Sequence, residues 1–316
     1  MTTRGTSPAP GDARADVLVV GSANADIVVP VERHPRVGET VIGGDHYRAA
    51  GGKGANQAVA CARLGARTRF VGRVGDDDHG RLLIDALTHD GIELSGLRVT
   101  DDAPSGLALI VVGPDGDNSI VVSPGANARL SRGDLDGTGI EGAGAVLLQL
   151  EVPLGTVEAA ASRARGLVVL NPAPAVPLPS ALLARTDVLV PNRGELAVLA
   201  GANDEPASID EAADLARSLD VVDRMVITLG ADGAVVVEHG TVTHVPAHSV
   251  VARDTTAAGD AFCGALSVAL LEGADLVAAA RWARVGAALA AERVGAQPSL
   301  PTRDEVAEVA PADTRG

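Results

Sequence analysis

Aromatic side chains and positive charge are both scarce in this chain. Of its 316 residues only four are aromatic, and 26 Lys and Arg stand against 41 Asp and Glu, a net charge of −15. So few rings exclude the stacking of nucleic-acid bases on aromatic platforms as a main binding mode. The negative charge argues against non-specific binding of nucleic acid or of an acidic membrane. An anionic substrate must therefore be met locally, by backbone dipoles, a few Lys and Arg residues and a metal ion.

Cysteines and long apolar runs are scarce as well. The two cysteines, Cys61 and Cys263, fall in apolar segments that are predicted to be helices. Two buried thiols in a reducing compartment are the simplest interpretation, ahead of a disulfide or a metal site. No run reaches the ~18 apolar residues that would cross a membrane, and residues 1–15 resemble neither a signal peptide nor a membrane span. We expect a soluble cytoplasmic protein with tails at 1–15, predicted to be disordered, and at 311–316.

Strand and helix patterns alternate along most of residues 16–310. Hydrophobic residues make up 46% of the chain, which is enough for one α/β domain with a large core. The alternation predicts a Rossmann-like, mostly parallel central sheet with helices on both faces. Two β-rich segments, at about 27–50 and 104–123, interrupt it, and residues 39–42 within the first are strand-like. These segments predict a small separate β-sheet that could cover a site as a lid.

Residues 254–266 contain the strongest functional signal. The junction Ala257-Ala258-Gly259 carries no side chain larger than a methyl group and leads into an apolar helix. A ligand could approach its backbone closely, and the first N–H groups of a helix form a ready anion site. Asp260 lies in the first turn of this helix. It is either a helix cap or the general base of a phosphoryl transfer, and this stretch alone leaves both interpretations open.

Two further segments carry polar residues of an active-site type. Asn24 and Asp26 follow the first strand at a spacing that places both side chains on one side of an extended segment, which suits sugar hydroxyls. An ordinary turn is the alternative. In the second segment, the Gly-rich turn before Lys53 opens a helix on which Asn56 lies one turn further along. The spacing of a Walker A loop is absent.

The acidic run 76–78 precedes another predicted helix. A helix cap is its simplest interpretation, and a metal cluster the lesser one.

Seven candidate residues share one position in the predicted topology. Each follows the C-terminal end of a strand or, for Asp260, lies in the first turn of the helix predicted through Leu271: Asn24, Asp26, Glu151, Asn192, Glu195, Thr228 and Asp260. Open α/β sheets bind ligands along that edge. This coincidence favours an active site over a helix cap at Asp260.

The sequence resembles the ribokinase-like (phosphofructokinase-B-type) family of carbohydrate kinases over about residues 16–310. Two signature regions carry the resemblance, GGKGANQAVA at 51–60 and DTTAAGD at 254–260. Shorter stretches at 21–26, 124–127, 149–151, 191–195 and 295–299 match as well. The resemblance implies ATP-dependent phosphorylation of D-ribose at its 5-hydroxyl.

The resemblance also implies a role for each matching position. Asp260 would be the catalytic base, and the amides of Ala257, Ala258 and Gly259 would form the anion hole. The residues implied to hold the sugar, with Asp260 at its reacting end, are Asn24, Asp26, Gly52, Lys53, Asn56 and Glu151. Those implied on the side of ATP and Mg²⁺ are Asn192, Glu195, Thr228, Gly230, Gly233, Gly259 and Arg284. The implied site for an activating K⁺ comprises Asp254 and Thr256 with backbone groups near Ala290, Arg293, Gly295 and Ser299.

Some positions depart from the family pattern. Ala261 and Cys263 replace an expected Thr and Asn, and Arg284 stands where a His or Asn is expected near the adenine, which leaves nucleotide preference open. His46, His79, His239, His244 and His248 match no role and are interpreted as surface or structural residues. The alternatives are a family kinase for another pentose, deoxyribose or a nucleoside, and a non-catalytic sugar- or nucleotide-binding protein. The family likeness further predicts a homodimer joined through the lid sheets.

Overall fold

The computed structural model describes residues 15–114, 117–219 and 222–310. The predicted tails therefore lie outside the described residues, apart from Ala15. Within this described part, no helix is long and apolar enough to cross a membrane.

A nine-stranded sheet forms the centre of the molecule. Its strand order is β13-β12-β11-β10-β9-β8-β1-β4-β5, and the seven strands from β11 to β5 are parallel. The strands are β1 Asp16–Val20, β4 Arg67–Gly75, β5 Glu93–Thr100, β8 Ala145–Leu148, β9 Leu167–Leu170, β10 Val188–Leu189, β11 Arg224–Thr228, β12 Ala234–Glu238 and β13 Thr241–Val245. The chain first moves from β1 to β4 and β5, then returns to the other side of β1 with β8. The order in which the chain adds strands thus reverses between the parallel neighbours β1 and β8, and ligands bind at such a point in folds of this kind.

Helices cover both faces of this sheet, as predicted. They are α1 Lys53–Arg63, α2 Asp78–His89, α3 Leu154–Arg163, α4 Ser180–Leu183, α5 Arg193–Ala200, α6 Ile209–Leu219, α7 Ala258–Leu271, α8 Leu276–Ala291 and α9 Arg303–Val309. Because side chains alternate along a strand, Val17 and Val19 of β1 pack into the core under α1, α2 and α7–α9. Leu18 and Val20 pack into the opposite core under α3–α6.

The pair α1 and α7 is packed unusually closely. Helix α7 is buried on nearly all sides, with ten of its 14 residues buried. Its Gly264 faces α1, and a Cβ added there would lie 2.6 Å from the Cβ of Ala60. Only glycine permits this approach.

A second sheet of four strands lies apart from the first, as the sequence predicts. Its order is β3-β2-β6-β7, with β2 Asn24–Pro30, β3 Tyr47–Gly51, β6 Gly106–Val112 and β7 Asn118–Ser123. We call it the small sheet. Strand β2 starts four residues after β1 ends, so the chain passes directly from the large sheet into the small one.

The predicted strand at residues 39–42 is wrong. The segment is an exposed loop, and Ile42 is 88% exposed. The Arg33 guanidinium donates hydrogen bonds to both carboxylate oxygens of Glu39, which also accepts from the Arg36 amide. These local bonds fold the segment on itself instead of pairing it with a sheet edge.

The cap interpretation of the acidic run is confirmed. Asp77 precedes α2, and its Oδ1 accepts from the amide of Gly80 at 2.7 Å. The same carboxylate accepts from the amide and the hydroxyl of Ser105, one residue before β6. Asp77 thus joins α2 to the base of the small sheet.

Candidate active site

The ends of β1 and β8 meet the start of α1, and Glu151 joins all three. Its Oε2 accepts from the Ser22 hydroxyl at 2.6 Å and from the Lys53 amide at 3.2 Å. The Ser22 hydroxyl in turn accepts from the amide of Gly54 at 3.3 Å. A single carboxylate therefore fixes the entry to the small sheet against the N-terminus of α1.

Two glycines let the turn before α1 pack against β2. Gly52 has φ of +89°, and a Cβ there would lie 2.6 Å from the amide nitrogen of Asn24. A Cβ on Gly51 would lie 2.1 Å from an oxygen of Asp26. The packing explains the glycine pair and brings Asn24 and Asp26 beside Lys53.

Asp260 lies in the first turn of α7 and is 5% exposed. It does not cap the helix, which has no side-chain cap. Its Oδ2 accepts from Asn56 Nδ2 at 2.9 Å and its Oδ1 from Gln57 Nε2 at 3.0 Å. Burial raises the pKa of Asp260 to about 6, with Lys53, Asn56 and Gln57 opposing the shift. The carboxylate is thus ionised at neutral pH and close to the pKa at which a general base works best.

Lys53 is the cation among a group of acids. Burial lowers its pKa, but the charges of Asp260, Glu151 and Glu195 more than offset this and raise it. Burial raises the pKa of Asp26 to about 7, with further contributions from the charges of Glu151 and Asp260. The site is therefore an acid-rich pocket with one internal ammonium group, suited to a polar, uncharged molecule with many hydroxyls.

Asp26→Asn is expected to stabilise the fold at neutral pH. The folded-state pKa of Asp26 lies above its ordinary value of 3.8, so the wild type loses stability as pH rises from about 4 to about 7. The variant does not lose this stability. Its free energy of unfolding should exceed that of the wild type by on the order of 2–4 kcal/mol above pH 7 and should equal it near pH 4. Urea unfolding between these pH values measures the difference. Asp45→Asn, in the exposed loop before β3, is the control; parallel curves for Asp26→Asn and wild type would contradict the expectation.

The predicted anion-hole residues lie at the start of α7. Ala257 precedes the helix, and the amide of Ala258 donates to the carbonyl of Thr255 at 3.2 Å. In this conformation one of the three predicted donors is thus engaged in a turn. Gly259 faces open space, since a Cβ added there meets no atom within 4 Å.

A cleft of about 830 Å³ opens in front of α7; we call it the α7 cleft. Six of the residues predicted on the nucleotide side line it: Asn192, Thr228, Gly230, Gly233, Gly259 and Arg284. The turn of Gly230 and Gly233 has positive φ at both glycines. Arg284 of α8 donates from Nη1 to the carbonyl of Pro246 at 2.6 Å, and Pro246 also lines the cleft. His244 and His248, interpreted from sequence as surface or structural residues, also line this cleft.

Glu195 lies in the first turn of α5, where it forms a capping box with Asn192, a residue that lines the cleft. Its two carboxylate oxygens accept from the amide and the side chain of Asn192 at 2.8 and 2.9 Å. Burial raises its pKa, and the charge of Lys53 opposes the shift. The pair places oxygen ligands between Lys53 and the α7 cleft, and such ligands fit Mg²⁺.

The loops before α7 and after α8 are tied together by Asp254. Its Oδ1 accepts from the amide and the hydroxyl of Thr256, and its Oδ2 from the amide of Gly295 at 2.8 Å. The carbonyl of Ala291 accepts from the amides of residues 253 and 254, and that of Ala290 from Arg293. Ser299 is buried and donates to Ala296. A carboxylate among backbone carbonyls is an oxygen-only donor set, which fits a hard cation such as K⁺. The Arg293 side chain points elsewhere, to Glu305.

Asn127 is a buried residue that the sequence reasoning did not assign. It follows the small sheet, accepts from the amide of Ala23 and donates to Asn24 Oδ1 at 2.7 Å. This bond turns the amide nitrogen of Asn24 away from Asn127, so Asn24 offers a donor to the pocket. Gln57, Gln149 and Asn171 were also missed, although Gln57 follows Asn56 directly in the first signature region.

The site places a buried carboxylate at a helix N-terminus, bonded to Asn56 and acted on by the charges of Lys53 and Glu151, with the preceding Gly259 on the wall of the α7 cleft. This is the arrangement of a phosphotransferase that acts on an alcohol. The sequence matches the model of the pfkB family carbohydrate kinases over residues 14–303. The chain belongs to this family.

Individual relatives agree with that assignment. A ribokinase of Haemophilus influenzae is 39% identical over 302 residues, covering 93% of this chain and 98% of the relative. A deoxyribokinase of Salmonella typhi is 35% identical over 303 residues, covering 93% and 98%. Among solved structures, a Thermotoga maritima ribokinase has a TM-score of 0.85 at 37% identity, covering 93% of this chain and 99% of that one. An Arabidopsis thaliana ribokinase complexed with ribose and ATP has a TM-score of 0.83 at 34% identity, covering 94% and 98%.

Proposed function

We propose that this protein transfers the terminal phosphoryl group of ATP to the 5-hydroxyl of D-ribose, giving D-ribose 5-phosphate and ADP. The observation that carries the proposal is the position of Asp260. Its carboxylate accepts a hydrogen bond from Asn56 of α1, and the preceding residue, Gly259, lines the α7 cleft. The curated ribokinases among the relatives support ribose as the sugar and ATP as the donor.

Each part of the site then has a chemical task. Asn24, Asp26, Gly52, Lys53, Asn56 and Glu151 hold the sugar. Asp260 takes the proton from the attacking hydroxyl as the bond to phosphorus forms. The amides of Ala257, Ala258 and Gly259 stabilise the charge on the transferred group, which requires the Ala258 amide to leave Thr255.

Metal ions complete the proposal. Asn192 and Glu195 would hold Mg²⁺, partly through water, and the ion supplies charge neutralisation at the phosphates of ATP. Thr228, Gly230, Gly233 and Arg284 line the nucleotide end of the cleft. Asp254, Thr256 and the backbone around Ala290, Arg293, Gly295 and Ser299 would hold K⁺, which supplies positive field beside the anion hole.

Ribose-dependent release of ADP is the first test. The assay contains D-ribose, ATP, Mg²⁺ and K⁺, with a blank that lacks sugar. Parallel assays with 2-deoxyribose and adenosine compare kcat/KM. Turnover that is fastest with ribose supports the proposal. Faster turnover with deoxyribose would move the assignment to the activity named for the Salmonella typhi relative, and faster turnover with adenosine would make the protein a nucleoside kinase.

Replacing K⁺ by Na⁺ is expected to lower kcat, because Asp254 and the surrounding backbone carbonyls would hold the activating K⁺ through oxygen atoms alone. Asp254→Ala should remove the difference between the two salts, since it removes the charged ligand and frees Thr256 and Gly295. Rates are measured at constant ionic strength. Equal wild-type rates in both salts would refute the cation site.

The small sheet is proposed to act as a lid and as a dimer contact. It presents exposed apolar residues, among them Leu109, Ile120, Val121 and Val122. In this proposal, residues 16–310 form one kinase domain that works in the cytoplasm as a homodimer joined through the small sheets. Light scattering that gives the mass of a monomer would refute the dimer.

A further inference from the structure

Both oxygens of the Asp260 carboxylate are occupied by amide donors. Asn56 donates to Oδ2 and Gln57 to Oδ1. The two donors differ in freedom. The Oδ1 of Asn56 is buried and has no hydrogen-bond partner among the described residues, so this amide can turn toward a substrate hydroxyl without breaking a second bond. Gln57 is fully engaged, as the next contacts show.

A chain of amides fixes the orientation of Gln57. Asn171 donates from Nδ2 to the carbonyl of Val190 at 3.0 Å, and a carbonyl can only accept. Asn171 must therefore turn its Oδ1 toward Gln57, whose Nε2 donates to it at 3.2 Å. The Oε1 of Gln57 is left facing Gln149, and Gln149 Nε2 donates to it at 2.5 Å. All hydrogen-bonding atoms of the Gln57 side chain are satisfied in this one orientation only.

The amide chain lies at the ligand-binding edge of the large sheet. Gln149, Asn171 and Val190 directly follow the buried strands β8, β9 and β10 at the ligand-binding edge of the large sheet. Gln57 is fully buried on α1, and Gln149 is fully buried as well. Burying an amide is costly unless its atoms have partners. The side chains of Gln57 and Asn171 are fully bonded, whereas Oε1 of Gln149 has no partner among the described residues.

We propose that Gln57 is a positioning residue for the base: by donating to Oδ1 of Asp260 it reserves Oδ2 as the atom that takes the substrate proton. Protonation of Oδ1 would require the Gln57 amide to turn over, which would place its Oε1 against Oδ1 of Asn171, and Asn171 is held in its orientation by the carbonyl of Val190. Protonation of Oδ2 only requires Asn56 to release it. This inference rests on the proposed function, because it assumes that Asp260 accepts a proton.

Other charges also act on Asp260 and must be held constant. Lys53 on α1 opposes the rise in its pKa and Glu151 after β8 adds to it, while Asp26 on β2 and Cys263 on α7 are coupled to the same carboxylate. In the described part of the chain, none of these side chains forms a hydrogen bond with the side chain of Gln57, whose partners are Asp260, Asn171 and Gln149. Replacing Gln57 therefore changes one donor to Asp260 and leaves the charges in place.

Two variants of similar length test the proposal. Gln57→Met removes the donor and should raise the pKa of Asp260 by about one pH unit, the value of one hydrogen bond to a charged group. Gln57→Glu puts a second acid beside Oδ1 and should raise it further, because two carboxylates sharing a site resist joint ionisation. The acidic limb of kcat against pH, measured in single turnovers, should move to higher pH in the same order. The affinity for sugar should change little.

A second readout does not depend on activity. Carbon-13 NMR of labelled aspartate carboxyl groups follows the titration of Asp260, whose signal is assigned with Asp260→Asn. Val59→Ala, a core residue on α1 itself, is the control for destabilisation: its melting temperature should fall while the acidic limb stays in place.

The outcomes separate the inference from the proposed function. A wild type without sugar-dependent turnover would refute the proposed function, and the NMR titration would still test the role of Gln57. Suppose instead that the wild type turns over ribose. If neither variant then shifts the acidic limb of kcat or the Asp260 titration, the inference is overturned. The inference is also overturned if the Gln57 variants shift the acidic limb and the Asp260 titration no further than Val59→Ala does.

Discussion

Asp260→Asn is expected to lower kcat by about 10²–10⁴-fold and to leave ribose binding largely intact. The variant keeps the size of the side chain but removes the proton acceptor at the reacting end of the pocket. Its amide also faces donors from both Asn56 and Gln57, so one of those contacts is lost as well. Coupled ADP release gives kcat, and calorimetry gives the affinity for ribose.

A matched control for this variant is Asp134→Asn. Asp134 is also a buried acid, but its partner is Arg73 of β4. It lies in the short helical turn Arg132–Leu135, which follows the small sheet in the chain. Its replacement should reduce stability and leave kcat of the folded enzyme unchanged. Near-normal turnover in Asp260→Asn would remove Asp260 from the mechanism.

Gly259→Ala is expected to reduce kcat/KM by about 10²–10³-fold without loss of stability. The added methyl group meets no protein atom and points into the α7 cleft, where the phosphoryl group must pass. Alanine is favoured over glycine in a helix by up to about 1 kcal/mol, so the melting temperature should stay the same or rise.

Gly142→Ala is the control for that prediction. Gly142 also has open space around an added Cβ, but it lies in a short helix before β8, remote from the cleft. Its replacement should leave kinetics unchanged. If Gly259→Ala retained wild-type kcat/KM, the transferred group would not pass in front of Gly259.

The meeting of Asp26, Glu151 and Asp260, whose charges act on one another, could be predicted because topology alone brings them together. Parallel strands end at one edge of a sheet, so residues that follow those strands converge whatever the details of packing. The loop at 39–42 was mispredicted for the opposite reason. Its strand-like residues pair with no strand, and the bonds of Arg33 to Glu39 close a local loop instead.

The amide chain around Gln57 could not be predicted by the same reasoning. Which of two adjacent polar residues on α1 faces the base depends on how the helix is rotated, and that rotation is set by packing against α7. The bond between the Ala258 amide and Thr255 is likewise a matter of local turn geometry. Residue type and spacing carry no information on either point.

The contact between Gly264 and Ala60 has a consequence for how such a kinase can diversify. The helix that carries Asn56 and Gln57 and the helix that carries Asp260 touch where a single methyl group is missing. The distance from Asn56 and Gln57 to Asp260 is therefore set by packing inside the core. Asn24 and Asp26, by contrast, belong to the small sheet. Under the proposed function, changes to that sheet can alter the sugar contacts of Asn24 and Asp26 while the packing of α1 on α7 keeps Asn56 and Gln57 at the same distance from Asp260.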